Sequence, residues 1–261
     1  MELICFFVKK INTVLFFQKS KPILKDLIPN DYVDIHSHLL PGIDDGCKSF
    51  EETQNLILQL KNIGFSQFIT TPHVMDYIWK NSNEKIETIL SNTKISLIEN
   101  NIENPLNAAA EYMMDSGFIN LFETQKLRTL KDNFVLVEMS YVNAPLNLYD
   151  ILFQLQVAGY VPVLAHPERY SFYESNSNEF TKLKNAGCLF QMNLLSTVGY
   201  YGKNVSKTAD YLLENNFYDF VGSDVHHQKH VASFTNKIIL KNSELLEKLF
   251  LKNNFFRNNF K

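Results

Sequence analysis

The chain is short of cysteine, of net charge and of long apolar runs, and each shortage removes a class of protein. Its three cysteines, Cys5, Cys47 and Cys188, are odd in number, widely spaced and without a C-x-x-C pair. That excludes a disulfide scaffold, a dithiol redox motif and a zinc knuckle, and suits a reducing cytoplasm. Twenty-five basic against 28 acidic residues leave a formal charge of -3, so no broad electrostatic footprint for nucleic acid exists. The N-terminal apolar runs, Leu3 to Val8 and Val14 to Phe17, are broken by Lys9, Lys10, Gln18 and Lys19. A spanning helix needs roughly 20 mostly apolar residues, and a secretory signal opens on a basic stretch where this chain has Glu2. Residues 1–30 are therefore expected to form an extension, poorly ordered or laid as a strand on the outside of the fold, with peripheral membrane association left open. No internal repeat appears, which removes solenoids.

What is present is a chain of 261 residues, 45% hydrophobic, long enough to bury one large core. From about Asp31 short apolar runs alternate with helix-like stretches, the pattern of βα units around a parallel sheet. Strands are expected at Tyr32–Ile35, Gln67–Thr71, Leu106–Ala110, Phe134–Val137, Val161–Ala165, Leu189–Met192 and Phe220–Gly222. Ser49 and Glu52 stand in capping-box spacing ahead of a stripe of Leu56, Ile57, Leu60 and Ile63, which marks a helix ending at Gly64. Further helices are expected at Glu84–Glu99, Leu148–Ala158, Glu179–Asn185, Val205–Asn215 and Ser243–Leu251. The domain is expected over residues 31–250, with 251–261, ending in NNFFRNNFK, as a fraying tail.

The residues that follow the expected strands carry the chemistry. His36, His38 and Asp45 follow the first, in DIHSHLLPGIDDG; then come His73, Glu111, Glu138 and His166 in order; Asp224 and His226 follow the last. In a barrel of parallel strands the C-terminal strand ends share one face, so these nine side chains converge on one mouth. A lone histidine or glutamate at a strand end is more often a loop residue than a ligand, and H-x-H alone is weak. Nine such groups together are another matter, because without a cation the crowding would force large pKa shifts. Imidazole and carboxylate without sulfur favour manganese, iron or zinc over calcium, and nine ligands exceed one tetrahedral zinc. Two or three ions bridged by a carboxylate is the economical expectation.

The segments DIHSHLLPGIDDG, TTPH, AAEYMMD, VLVEMSY, AHPERY and GSDVHH, in that order, resemble the polymerase-and-histidinol-phosphatase (PHP) superfamily. Within it they are most similar to the manganese-dependent tyrosine-protein phosphatases of bacterial capsular and exopolysaccharide systems, the CpsB/CapC-like branch. The resemblance runs from about Pro22 to near residue 235, and HPER with IDDG is its most specific part. It implies an α/β fold, a distorted (β/α)7 TIM-like barrel, with His36, His38, Asp45, His73, Glu111, Glu138, His166, Asp224 and His226 as ligands of Mn2+. It also implies Arg169 as the fork that holds phosphate oxygens, Glu138 as the best candidate for a bridging ligand, and the tyrosine-rich tail of a cognate membrane kinase as substrate.

The expected reaction is metal-assisted hydrolysis of a phosphomonoester by an activated water, with Asp45 or His226 as a source of a proton. A cysteine mechanism is excluded, because none of the three cysteines starts a C-x5-R loop. Tyr112, Tyr141, Tyr170, Phe172 and Tyr173 flank the mouth in the sequence and are candidates for stacking on a phosphotyrosine ring, or equally for packing loops onto the barrel. His227 and His230 are expected at the surface. Three alternatives stay open: a small-molecule phosphomonoesterase of the histidinol-phosphatase kind, an amidohydrolase, disfavoured by Glu138 where a carboxylated lysine would stand, and a non-catalytic binding module. The number of subunits is likewise open, a homo-oligomer included.

Overall fold

Strand residues with alternating faces and helices with one apolar stripe build a ring of parallel strands wrapped by helices. The computed structural model describes residues 20–174 and 176–257; the expectation for residues 1–19 and the very end of the chain lie outside the described residues. The strands are β1 (Tyr32–Asp34), β2 (Phe65–Thr70), β3 (His73–Val74), β4 (Leu106–Ala108), β5 (Glu111–Met113), β6 (Phe134–Glu138), β7 (Val161–Ala165), β8 (Leu189–Asn193) and β9 (Phe220–Gly222). The helices are α1 (Phe50–Lys61), α2 (Asn83–Glu99), α3 (Phe118–Thr124), α4 (Leu148–Val157), α5 (Asn178–Asn185), α6 (Lys203–Glu214), α7 (Gln228–Ser233) and α8 (Ser243–Lys252).

All pairings between named strands are parallel, in the orders β1-β2-β4 and β3-β5-β6-β7-β8-β9. The two sheets are one curved layer. β3 continues β2 past Pro72, β5 continues β4 past Ala110, and the bonds Ala109 N–H to Thr70 O and Glu111 N–H to Pro72 O carry the pairing across the break. Nine short strands thus act as seven units. Between the last and the first no strand ladder forms. The seam is held by Asp224 N–H to His36 O (2.7 Å), by His38 N–H to Val225 O (2.9 Å), and by Asp34, whose carboxylate accepts from the Ser223 backbone N–H and hydroxyl. Burial raises the Asp34 carboxyl to about 6, and the Ser223 bonds oppose that rise.

Side-chain alternation along the strands sets the layers. Val33, Ile35, Ile69, Ala109, Leu136, Val163 and Ala165 belong to the inner cluster, while Phe68, Val135, Val137 and Leu164 pack outward under the helices. Two residues beyond Leu136 on the same face comes Glu138, so the strand that fills the barrel also delivers a carboxylate to its mouth. Helix α1 starts as expected: the Ser49 hydroxyl accepts from Glu52 N–H, while the Glu52 carboxylate reaches back to Lys48 N–H rather than to Ser49. Gly64 closes it with φ +110, and a Cβ there would stand 2.6 Å from Pro29 O.

Several expectations need correction. The short β3 and β5 and the helices α3 and α7 carry too few residues to show a periodicity. Residues 20–30 are not a mere extension: Leu24 and Ile28 are buried, and Lys25 N–H bonds Phe234 O. Nor does the C-terminal segment fray at 251. Phe256 is fully buried in the inner cluster beside Phe220, and the buried Asn253 side chain donates to Val33 O and Val221 O and accepts from Val221 N–H. An Asn-Phe-rich stretch looked like low complexity because its two structural residues stand among exposed ones.

Candidate metal centre

All nine side chains expected at the mouth meet there. Donor atoms fall into four overlapping groups, each within 4.8 Å: His38, Asp45, His73 and His226; His36, Glu111 and His166; His36, His38 and Asp224; His73, Glu111 and Glu138. Glu111 links the groups. Its Oε1 is 3.1 Å from His166 Nε2, and its Oε2 is 3.2 Å from His36 Nε2, 3.4 Å from His38 Nε2 and 3.2 Å from His73 Nδ1. The central position expected of Glu138 therefore falls to Glu111, while Glu138 reaches only the His73 side, at 2.8 Å.

Neighbours fix the imidazoles. His36 Nδ1–H donates to Gln191 Oε1 (2.7 Å), whose amide nitrogen is held by Met192 O, so Nε2 is the atom turned to the cluster. His38 Nδ1–H donates to Asp44 Oδ2 (2.8 Å), and Asp44 also takes His73 N–H and Gly46 N–H. Asp44 and Asp45 thus divide the work: the first is buried behind the histidines, the second stands half exposed at the rim, 3.6 Å from His73 Nε2 and 3.5 Å from His226 Nε2. Close packing enforces this. A Cβ on Gly46 would meet His38 O at 2.1 Å, and one on Gly222 would meet the His36 Cβ at 2.6 Å. His166 and Asp224 hold left-handed backbone angles, φ 36 and φ 52, as Asn101, Asp132 and Asn216 do away from the cluster.

The electrostatics are those of buried carboxylates and imidazoles packed against one another. Burial works against the His36 imidazolium, but the Glu111 and Asp224 charges outweigh it and raise His36 to about 10. Glu138 is pushed up to about 7 by burial and then by the charge of Glu111. Glu111 and Asp224 go the other way: burial would raise them, yet the imidazolium charges, His36 first, hold both well below the carboxylate range. His166 is lowered to about 4 by burial and then by Arg169. Three polar atoms buried here, His73 Nδ1, Glu138 Oε1 and His166 Nδ1, have no hydrogen bond of acceptable geometry. The first two face each other at 2.8 Å without the geometry of a hydrogen bond, and such atoms in an oxygen and nitrogen set without sulfur fit metal coordination.

Beside the cluster Arg169 Nη1–H donates to Asp224 Oδ2 (2.7 Å), and the guanidinium lies between the rings of Tyr141 (4.7 Å) and Tyr201 (4.1 Å). A pocket of about 550 Å³ opens over both and is lined also by Trp79, His227 and His230.

A profile of the family described as capsular polysaccharide synthesis, CpsB/CapC, matches residues 32–255. The chain belongs to the CpsB/CapC family. Among curated relatives, the tyrosine-protein phosphatase CpsB of Streptococcus pneumoniae is 30% identical over 202 residues, 74% of this chain and 82% of that one. The putative tyrosine-protein phosphatase CapC of Staphylococcus aureus is 28% identical over 74% of this chain and 76% of its own length. A chain from the crystal structures of YwqE from Bacillus subtilis and CpsB from Streptococcus pneumoniae, described there as unique metal-dependent tyrosine phosphatases, superposes with a TM-score of 0.73. It is 26% identical and covers 87% of this chain and 88% of that one.

In this CpsB/CapC member not every expected residue faces the mouth. Tyr112 is buried on the outer side of β5, its hydroxyl accepting from Arg128 N–H. Tyr170 is fully buried, its hydroxyl donating to Ala165 O and accepting from Met139 N–H. Phe172 stacks on it, and Tyr173 packs edge-on against Phe172 and Phe180. Only Tyr141 of the five lines the pocket, stacked on His166 at 5.8 Å. His230 is buried, not at the surface: its Nδ1 accepts from His226 N–H, and its ring stands edge-on to His226. The sequence reading missed Asp44, Gln191, Tyr201, His230 and Trp79, the last stacked on His73 at 4.9 Å. For Asp44 the signal was present in the paired DD; for the others no local pattern marks the role.

Proposed function

We propose that the protein is a metal-dependent protein-tyrosine phosphatase that hydrolyses phosphotyrosine on the tail of a bacterial tyrosine kinase governing capsular or exopolysaccharide synthesis, in the cytoplasm. The observation that carries this reading is the convergence of nine donors and Arg169 on one open pocket in a member of the CpsB/CapC family. His36, His38, Asp45, His73, Glu111, Glu138, His166, Asp224 and His226 would hold two or three ions, with manganese as the proposed metal. Bound there, divalent cations supply Lewis-acid activation of water and neutralise phosphoryl charge.

The chain's own residues do the rest. Arg169 stays protonated and offers its remaining N–H donors as a planar fork to phosphoryl oxygens. Tyr141 and Tyr201 hold the guanidinium flat, and the half-exposed Tyr141 ring is placed to pack on a substrate phenol. Asp45 is held ionised: burial would raise it, but the hydrogen bond and charge of His226, then His73, lower it. An ionised Asp45 suits ligation, as does His226 beside it in the same donor group, and phenolate is a leaving group that needs little help from a general acid. Cys47 and Cys188 are buried, with thiols pushed up by burial to about 11 and about 12. Neither is a nucleophile.

The test is phosphate release from a phosphotyrosyl peptide and from histidinol phosphate, with metal-stripped protein before and after manganese is added. Manganese-dependent turnover of the peptide alone is the expected result. Turnover of histidinol phosphate alone would keep the metal site and overturn the substrate.

A further inference from the structure

The pocket over the metal ligands is continued by an apolar groove. Met75, Ile78, Met113 and Ser140 line both. One wall is the tight loop 75–79, closed by Met75 N–H to Trp79 O, which lifts Tyr77 and Ile78 into solvent at 78% and 68% exposure. The facing wall is the loop 140–147 after β6, where Val142 is 82% exposed and Leu146 fully so. Tyr77, Ile78 and Leu146 line the groove, and soluble surfaces seldom present such large apolar side chains on two facing loops without a use. The floor is Met75, Met113 and Met114, three of the six methionines in the chain, a polarizable surface that adapts to different side chains. Asp115 is the one charged residue lining the groove among the described residues.

We propose that this groove is a subsite for an apolar or aromatic side chain next to the phosphotyrosine of the peptide substrate, and that it selects among phosphotyrosines. The inference rests on the phosphatase reading of the adjoining site. A peptide is the occupant because the groove runs directly into the place where its phosphotyrosine would sit, and because Asn143 and Asn147 add amide groups able to pair with an extended backbone. Asp115, with no lysine or arginine beside it in the groove, disfavours an acidic side chain there. Neither Tyr77 nor Leu146 lines the pocket over the ligands, so their loss leaves a small ester untouched.

The experiment compares kcat/KM for p-nitrophenyl phosphate with that for phosphotyrosyl peptides carrying Leu, Ala or Glu at each position flanking the phosphotyrosine. It uses manganese-loaded wild-type protein and the Tyr77→Ser, Leu146→Ser double variant; both residues are exposed, so folding is not at stake. At one flanking position Leu should exceed Ala, and Ala exceed Glu, with a Leu advantage on the order of tenfold in the wild type that disappears in the variant. Activity on p-nitrophenyl phosphate should stay within about twofold. A flat peptide profile, or a Leu preference that survives in the variant, overturns the groove while leaving the phosphatase reading intact. Loss of a dimer or of vesicle binding in the variant, with unchanged peptide preference, would assign the groove to a second copy or to a membrane and overturn the proposal. No turnover of any ester by the wild type would instead sink the phosphatase reading.

Discussion

Replacing Asp44 by asparagine isolates the support behind the candidate ligands. The carboxylate accepts three hydrogen bonds, from His38 Nδ1–H, His73 N–H and Gly46 N–H, on two oxygens. An amide has one oxygen. Whichever way it turns, at least one buried N–H faces another N–H, at a cost of about 1–3 kcal/mol. If the amide nitrogen takes the side of His38, that imidazole is driven to the wrong tautomer, with its proton on Nε2 where the cluster needs a lone pair. Even in the better orientation His38 loses the negative partner that keeps it basic. Loss of such a partner weakens metal binding by about 10–100-fold, or ~1.4–2.8 kcal/mol. The assay is a calorimetric manganese titration of metal-stripped wild-type and Asp44→Asn proteins, with Trp79 fluorescence as an independent reading. This is the single tryptophan of the chain, and it stacks on His73, so its emission reports that ligand directly. Wild-type affinity in the variant, in a protein that melts normally, would refute the reasoning.

Four further outcomes follow from the same geometry. Gly46→Ala should weaken manganese binding while secondary structure is kept, since its methyl would drive into the His38 backbone; circular dichroism beside the metal titration checks both halves. Phe256→Ala should destabilise the fold by about 3–5 kcal/mol through a cavity in the barrel interior, read as a lower urea midpoint at unchanged slope. Iodoacetamide at neutral pH should leave Cys47 and Cys188 unmodified in the native protein, by mass spectrometry, whereas EDTA abolishes turnover. Metal binding should also release protons. His36 has its folded pKa raised to about 10, so its proton stabilises the metal-free fold fully below the unfolded value and that contribution is lost as pH rises through about 10. Manganese, which displaces the proton, should therefore bind more tightly from pH 6 to 8, by up to about tenfold per pH unit for each proton released. A pH-independent affinity would contradict the assignment of His36.

The candidate ligands were legible because each follows an apolar run, and in a parallel barrel that position already specifies a place in space. Tyr112 shows that the same logic reached further than it was taken. It follows Glu111 in a strand, so if Glu111 faces the mouth, Tyr112 must face the helices. His230 and Trp79 are different: their contacts depend on how a short helix and a five-residue loop fold back, which no periodicity records. Gln191 is paired with His36 across 155 residues, and a single glutamine in an apolar strand gives no hint of that partner. The pair Asp44 and Asp45 displays the limit most plainly, since adjacent carboxylates in one loop point to opposite sides of a histidine.

The seam between β9 and β1 fixes an order of events. The side chains of Asp34 and Ser223 meet across 189 residues, and His36, His38 and Asp224 converge where that junction closes. A growing chain can pair β6, β7 and β8 early, because they follow one another in sequence, but the group His36, His38 and Asp224 has no existence until both lips of the seam are made. A cation held by that group would bind only once the seam has closed, and would rivet the first strand to the last.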